Sequence, residues 1–247
     1  MGQAGRCVGS LVALCGLLLA VACGDASVDA YCEANGKGNQ DTLELLTRVL
    51  EQKRNQTGLY LARARCYYLL GSYAQAVQDA SEVIRRVPNK ADAYLIRAKA
   101  GKMQGQIPQA LDDYSTAIRL SPSAEAHYGR GLTYVREYHG KDREALNDFT
   151  AAIRFDPKHV GAYKARAEIH SRHEQFQNAL QDSEIVLKLD PGTPNAYCNV
   201  GFAHYALGHD AEGRKLLNTC YQKDPDPQTR GYYETEVRKV LVARQPR

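Results

Sequence analysis

The stretch that decides the fold is VGAYKARAEIHSRHEQFQNALQDSEIVLKLDP, which spans residues 160–191. Its first half places Tyr163, Ala167 and His170 on one face of a helix with 3.6 residues per turn. Its second half repeats that rhythm and ends at Pro191, because a proline pushes the residue before it out of the α-helical region. The stretch therefore predicts a hairpin of two short amphipathic helices. Two such helices cannot bury their apolar faces against each other alone, so we expect further copies of the unit.

Further copies are marked by prolines that recur at one period. These are Pro88, Pro122, Pro157, Pro191 and Pro225, with separations of 34, 35, 34 and 34 residues. Each copy carries a bulky ring early in its first helix, at Tyr60, Tyr94, His127, Tyr163 and Tyr197. A small residue follows four positions later, at Ala64, Ala98, Gly131, Ala167 and Gly201. Another opens each second helix, at Ala76, Ala110, Ala145, Ala179 and Gly213. Small residues at facing positions allow two helix backbones to approach closely, and the ring fills the space beside them.

The period, the helix–turn–helix unit and the ring/small/small/proline signature resemble the tetratricopeptide repeat. The resemblance implies an all-α, right-handed superhelical solenoid. It places five repeats within 57–227, at 57–90, 91–123, 124–159, 160–193 and 194–227. Three departures stand out. Arginine precedes the first small residue in four copies, and repeat three has two extra residues, which predict a longer turn. Gly213 is expected to weaken the fifth copy, because glycine costs a helix about 1 kcal/mol relative to alanine.

Two further helices are predicted to close the array. Residues 41–56 form an N-terminal capping helix, with Asp41 as its N-cap. Residues 228–247 form a C-terminal capping segment, helical from Tyr232 to Ala243, with an apolar stripe at Tyr233, Val237, Val240 and Leu241.

The first forty residues have the pattern of an export signal. Arg6 precedes an apolar run that ends in Ala20-Val21-Ala22, so residues 1–22 are predicted to be a signal peptide and 23–40 a linker. Cleavage after Ala22 would make Cys23 the first residue, which resembles the lipobox of bacterial lipoproteins. Ala20 stands where that family prefers leucine, so lipidation of Cys23 and simple secretion both remain open.

Four cysteines remain after the leader, and an oxidising compartment would allow two disulfides. The expected pairings are Cys32–Cys66 and Cys198–Cys220. The alternative is that all four are small, buried apolar residues.

The sequence shows no catalytic constellation, so we predict no enzyme activity and no cofactor. A net charge of +4 is too mild for a nucleic-acid-binding protein. His170 and His173 stand near Glu168 and Glu174, a group that could hold a metal. His170 holds a ring position of the repeat, however, so a structural role in the core is favoured and no metal is expected. Acidic pairs such as residues 112–113 are placed on exposed faces of second helices.

Function is then expected on the surface. In tetratricopeptide arrays, positions 2, 5, 9, 12 and 13 of each repeat line a concave groove. The resemblance assigns that groove to Arg65, Tyr68, Lys99, Lys102, Tyr128, Leu132, Arg136, Lys164, Glu168, Arg172, Cys198, Phe202 and Tyr205. Six of these residues are basic and the last repeat presents aromatic rings. This predicts a protein or peptide partner with an acidic part and an apolar part. The alternative is an ordinary solvated helix face.

Two functions fit these features. One is a non-catalytic protein–protein interaction scaffold in the bacterial cell envelope, either periplasmic or anchored to a membrane through Cys23. The other is an adaptor or co-chaperone of the eukaryotic secretory pathway that holds client proteins. Carbohydrate on Asn55, which lies in an Asn-Gln-Thr sequon, would favour the second.

Overall fold

The computed structural model describes residues 38–53, 55–138, 140–192, 194–223 and 226–243. Every regular element among them is an α-helix, so the all-α class expected from the repeats is confirmed. The helices fall into two compact units, one up to Pro122 and one from Ser123 onward. The predicted signal peptide, Cys23 and Cys32 lie outside the described residues.

Unit 1 contains an N-terminal helix and two hairpins. Its helices are α1 (Gly38–Gln52), α2 (Thr57–Leu69), α3 (Tyr73–Arg86), α4 (Ala91–Met103) and α5 (Ile107–Leu120). α1 begins at Gly38, inside the predicted linker. Asp41 therefore lies within the helix and is not its N-cap.

Unit 2 contains three hairpins and a C-terminal helix. Its helices are α6 (Ala124–Glu137), α7 (Asp142–Phe155), α8 (Val160–Arg172), α9 (Phe176–Leu189), α10 (Pro194–Ala206), α11 (Asp210–Lys223) and α12 (Pro227–Ala243). α12 begins at Pro227, five residues before the predicted start at Tyr232. Proline is favoured in the first helical turn, where a backbone N–H has no intrahelical partner.

The second helices of repeats one to four end close to the prolines that predict their ends. α3, α5, α7 and α9 each end two residues before the proline of their repeat. Among the described residues, the turn of each hairpin contains one residue with positive φ. That residue is Gly71, Gly105, Gly140, Glu174 or Gly208, with φ between 56° and 90°. A left-handed backbone is free of steric cost only for glycine, so Glu174 is the strained member of the set.

The two extra residues of repeat three are divided between helix and turn. α6 has 14 residues, where α2, α4, α8 and α10 have 13. The turn that follows α6 spans residues 138–141, one residue more than the other turns inside hairpins. The expected lengthening of the turn therefore accounts for one residue, and the other extends the helix.

Each second helix buries a stripe of small residues against its first helix. In α3 this stripe is Ala76, Ala80 and Val83, spaced four and three residues apart as one helical face requires. Repeat five uses glycine for the same purpose. A Cβ added at Gly213 would lie 2.9 Å from the carbonyl oxygen of Gly201 and 2.6 Å from the Tyr205 ring. Gly213 is thus a requirement of close packing, which corrects its interpretation as a weak point.

A buried ion pair joins the two helices in each of the first four repeats. The pairs are Arg63–Asp79, Arg97–Asp113, Arg130–Asp148 and Arg166–Asp182, each with two N–H···O bonds of 2.7–2.9 Å. We call this pair the repeat clamp. The aspartates are only 2–5% exposed. Asp113 was expected on an exposed face, so that prediction was wrong: its carboxylate is buried because Arg97 neutralises it.

Repeat five has a different connection between its helices. Val200 and Leu216 stand where the other repeats have the arginine and the aspartate. Val200 is buried in an apolar cluster against which Leu216 packs. In addition, Cys198 of α10 forms a disulfide with Cys220 of α11, one of the two pairings expected from the sequence. Cys66 in repeat one is also disulfide-bonded.

Candidate partner-binding surfaces

In unit 1, the residues assigned to the groove meet on neighbouring first helices. Tyr68 lies near the end of α2, and Nζ of Lys99 on α4 lies 4.8 Å from its ring centroid. This is within the range at which an ammonium group is attracted to an aromatic face. Arg65 lies one turn before Tyr68, and Lys102 lies one turn after Lys99 on the same helices. We call these four residues the unit 1 surface.

A carboxylate that the sequence did not assign to the groove, that of Asp92, lies beside the unit 1 surface. Nη2 of Arg65 lies 3.8 Å from Oδ2 of Asp92, the second residue of α4. Lys90 lies 3.2 Å from the same oxygen. The positive charge of Arg65 is therefore partly balanced, and Lys99 presents its charge beside an aromatic ring.

In unit 2, Tyr128 packs against neighbouring residues and does not stand open in a groove. Its ring lies 4.5 Å from the ring of His159 and 5.9 Å from that of Phe149, between centroids. Its hydroxyl lies 2.7 Å from the position that a Cβ of Gly161 would take. Burial raises the pKa of Tyr128 above its ordinary value. Leu132 packs against the same cluster, so both residues act mainly in packing.

The charged groove residues of unit 2 also have partners. Lys164 lies 3.7 Å from Asp190, and Arg172 lies 3.3 Å from Asp142. Arg136 and Glu168 are exposed on α6 and α8. The sequence assignment found the basic residues but not the carboxylates that accompany them, because those carboxylates come from other helices or from a helix end.

The aromatic end of the predicted groove is closed. Tyr205 is buried against Gly213 and Leu217, and Cys198 is buried in the disulfide. Phe202 is half-buried, with its ring 6.0 Å from Phe176. The prediction that Cys198 and Tyr205 line an open surface is therefore wrong. Residues of α12 pack onto this part of repeat five. The position numbers of the repeat do not predict this contact, because α12 lies outside the five repeats.

α12 contributes Tyr233 to that packing. The Tyr233 hydroxyl donates a hydrogen bond to Oδ1 of Asn199 on α10, at 2.5 Å. Tyr233 belongs to the buried cluster of Cys198, Tyr205, Leu217 and Cys220. Burial raises the pKa of its phenol well above the ordinary range.

Of the two histidines singled out in the sequence, His170 pairs across its own turn and His173 pairs with the first residue of α7 in the preceding repeat. Nδ1 of His170 lies 2.6 Å from Oε1 of Gln175, and Nε2 of His173 lies 2.7 Å from Oδ2 of Asp142. His170 is half-buried, so it is a ring at the edge of the hairpin and not a core residue as expected. Among the described residues, no group of three His, Cys, Asp or Glu side chains is placed to hold a metal ion.

Family models match two segments of the chain. A tetratricopeptide repeat model matches residues 59–90, and a TPR repeat model matches residues 102–137. This chain is a tetratricopeptide repeat protein. A segment of 49 residues is also 45% identical to the Protein SGT1 homolog of Bos taurus. That match covers 20% of this chain and only 14% of the relative, so it carries no conclusion about the whole relative's activity.

Solved structures with the same fold cover more of the tetratricopeptide chain. YrrB, described as a TPR protein with an unusual peptide-binding site, matches 77% of this chain and 97% of its own, with a TM-score of 0.64 and 16% identity. MamA matches 68% and 92%, with a TM-score of 0.60 and 20% identity. A tetratricopeptide repeat protein from Parabacteroides merdae matches 87% and 84%, with a TM-score of 0.61 and 15% identity. At these identities, the likeness concerns the fold.

The fold supports a role as a protein–protein interaction scaffold, as the sequence predicted. No helix in the described part of the chain is long and apolar enough to cross a membrane.

Proposed function

We propose that this tetratricopeptide protein is a non-catalytic scaffold of the bacterial cell envelope that binds a partner segment on the unit 1 surface. The observation that carries the proposal is the pairing of Lys99 with the Tyr68 ring, beside Arg65 and Lys102. An ammonium group over an aromatic face offers a charge for a carboxylate and an apolar surface for the neighbouring side chain. A peptide with acidic and apolar residues fits both features.

The proposed compartment rests on the leader and on the cysteines. Residues 1–22 have the pattern of a signal peptide. Cys66 and the Cys198–Cys220 pair are disulfide-bonded, which is typical of an oxidising compartment. Mass spectrometry of the mature N-terminus tests this part: diacylglyceryl-modified Cys23 would establish the anchor, and an N-terminus at Met1 would refute export.

The binding surface is tested by changing its charge. Lys99→Glu with Lys102→Glu reverses two charges on α4, and the matched control, Arg119→Glu with Arg214→Glu, reverses two exposed charges on second helices. Affinity capture from an envelope extract should lose its main partners with the first variant and keep them with the control. Circular dichroism checks that both variants remain folded. Unchanged partners with the first variant would refute the unit 1 surface.

A second candidate places the protein in the eukaryotic secretory pathway as an adaptor or co-chaperone. The observation that favours it is the position of Asn55, which is exposed in the turn before α2 and so is accessible to glycosylation. Carbohydrate on Asn55 in the natural protein would support this candidate, whereas a lipidated Cys23 would exclude it.

A further inference from the structure

α12 lies on the first-helix face of repeat five. Two of its apolar side chains, Tyr233 and Val237, pack into the cluster formed around the Cys198–Cys220 disulfide. Phe202 of α10 packs against the same cluster. This is the face that the family pattern assigns to partner binding in each repeat, and here a helix of the chain itself rests on it.

The contact has the features of helix-in-groove recognition. A buried tyrosine supplies an apolar ring, and its hydroxyl donates to the amide oxygen of Asn199 at 2.5 Å. Val237 follows one helical turn later on the same side, at the i, i+4 spacing typical of such anchors. The carboxylate of Glu168, from the first helix of repeat four, lies near enough to raise the pKa of both Tyr232 and Tyr233, after the effect of burial.

The rest of α12 is loosely held. Tyr232 is 61% exposed and Val242 is 62% exposed, although both are large apolar side chains. Leu241, which the sequence placed on the buried stripe, is 41% exposed. Few buried apolar contacts and exposed helix ends characterise segments that open separately from the core.

We infer that the first-helix face of repeat five is a docking site for an amphipathic helix that carries a tyrosine followed four residues later by an aliphatic residue, and that α12 is its exchangeable occupant. A partner helix with this pattern binds when α12 leaves. The site lies in unit 2, so the inference goes beyond the proposed function and does not depend on the unit 1 surface.

The probe is a fluorescein-labelled peptide of residues 227–243, added to the full chain. In the wild-type chain, α12 is tethered by the short segment 224–226, and short tethers give effective concentrations of about millimolar. Micromolar peptide should therefore bind weakly. A release variant with Tyr233→Ala and Val237→Ala removes both anchors, and its peptide affinity should rise at least about tenfold.

Two matched controls separate this docking from non-specific adhesion. The chain with Tyr232→Ala changes the exposed neighbouring tyrosine and should bind the peptide no better than the wild type. A peptide with Tyr233→Ala should not bind the release variant. Equal peptide affinity of wild-type and release chains, or binding of the altered peptide, would overturn the inference.

Hydrogen exchange on the wild-type chain gives an independent test that needs no variant. Amides of α12 should exchange through an opening that leaves the amides of α10 and α11 protected. Exchange of all three helices with one common free energy would show that α12 does not open separately, and would overturn the inference.

Discussion

The repeat clamp of repeat two allows a quantitative prediction of how its replacement changes the free energy of unfolding. Repeat five carries Val200 and Leu216 in place of the ion pair. The same apolar pair can therefore replace the ion pair of repeat two, as Arg97→Val and Asp113→Leu. Arg97→Val alone leaves the Asp113 carboxylate, which is 2% exposed, with the Gln109 amide at 3.3 Å as its remaining side-chain hydrogen-bond donor among the described residues. Burying a charge without its partner typically costs 3–5 kcal/mol, and with the help of Gln109 we expect about 3 kcal/mol.

The reverse change should cost less. Asp113→Leu alone leaves Arg97, whose side chain is 20% exposed and can turn its guanidinium toward water, so we expect a loss of about 1–2 kcal/mol. The double variant removes both charges and replaces them with apolar groups. Such replacements are often neutral or stabilising, and we expect a free energy of unfolding within about 1 kcal/mol of the wild type.

The assay is a double-mutant cycle on the full chain. Urea unfolding is followed by circular dichroism at 222 nm, and native-state hydrogen exchange in α4 and α5 reports on the same repeat. The coupling free energy should be at least about 2 kcal/mol. Arg119→Val, at an exposed site of α5, serves as the control and should change stability by less than about 0.5 kcal/mol. A single variant Arg97→Val that is no less stable than the double variant would refute the reasoning.

Four further variants test the turns, the glycine contact and α12. Glu174→Gly should stabilise the chain by about 1 kcal/mol in thermal unfolding, because φ is 56° there. Gly105→Glu should destabilise it by a similar amount; a Glu174→Gly chain that is no more stable than the wild type would contradict a strained turn. Gly213→Ala should destabilise by about 1–3 kcal/mol despite the better helix propensity of alanine, since the new Cβ meets the Tyr205 ring; any gain in melting temperature would contradict this. Because the pKa of Tyr233 is raised, its contribution to the stability of α12 packing is complete below about pH 10 and is lost as pH rises above that value. Tyr233→Phe should reduce this pH dependence, measured by hydrogen exchange of α12. An unchanged pH profile would contradict the role of the buried Tyr233 phenol.

Much of the fold could be read from local patterns. Prolines and small residues recur because each hairpin must end and each pair of helices must approach closely, and both constraints act at fixed positions of one repeat. The turn glycines with positive φ recur at the same period as the prolines and mark the same repeats, at Gly71, Gly105, Gly140 and Gly208. The sequence places a turn near Glu174, but its positive φ could not be predicted because this side-chain type does not indicate a left-handed backbone.

The clamp was only half visible in the sequence. The arginines stand out as a departure from the family pattern, but their aspartate partners do not. An aspartate recurs 16 residues after the arginine in three repeats and 18 after it in repeat three, which was a detectable signal. The neighbouring Asp112 hides this signal, because an acidic pair is typical of a solvated face. Two adjacent residues of a helix point in different directions, so Asp112 can be exposed while Asp113 is buried.

The candidate surface was harder to predict, because exposure depends on neighbours that are distant in the sequence. Tyr128 is shielded since Gly161 leaves room for its ring, and Tyr205 is shielded since Gly213 does the same. Arg65 and Lys164 gain carboxylate partners from outside their own helices. The position of a residue within a repeat predicts which face of the helix its side chain occupies, but it does not show which other residues cover that side chain.

In repeats one, two and four, the arginine of the clamp makes one further bond, which depends on the order of the repeats. Arg63, Arg97 and Arg166 each donate a third hydrogen bond, of 3.1–3.3 Å, to a hydroxyl 16 residues earlier, at Thr47, Ser81 and Thr150. Each hydroxyl lies on the helix that directly precedes the helix of its arginine. At the same offset before Val200, which has no donor to offer, the chain carries Glu184. A hairpin moved to a place where its arginine meets no hydroxyl on the preceding helix should therefore lose this bond, at a cost of about 1 kcal/mol, so the order of the repeats affects stability.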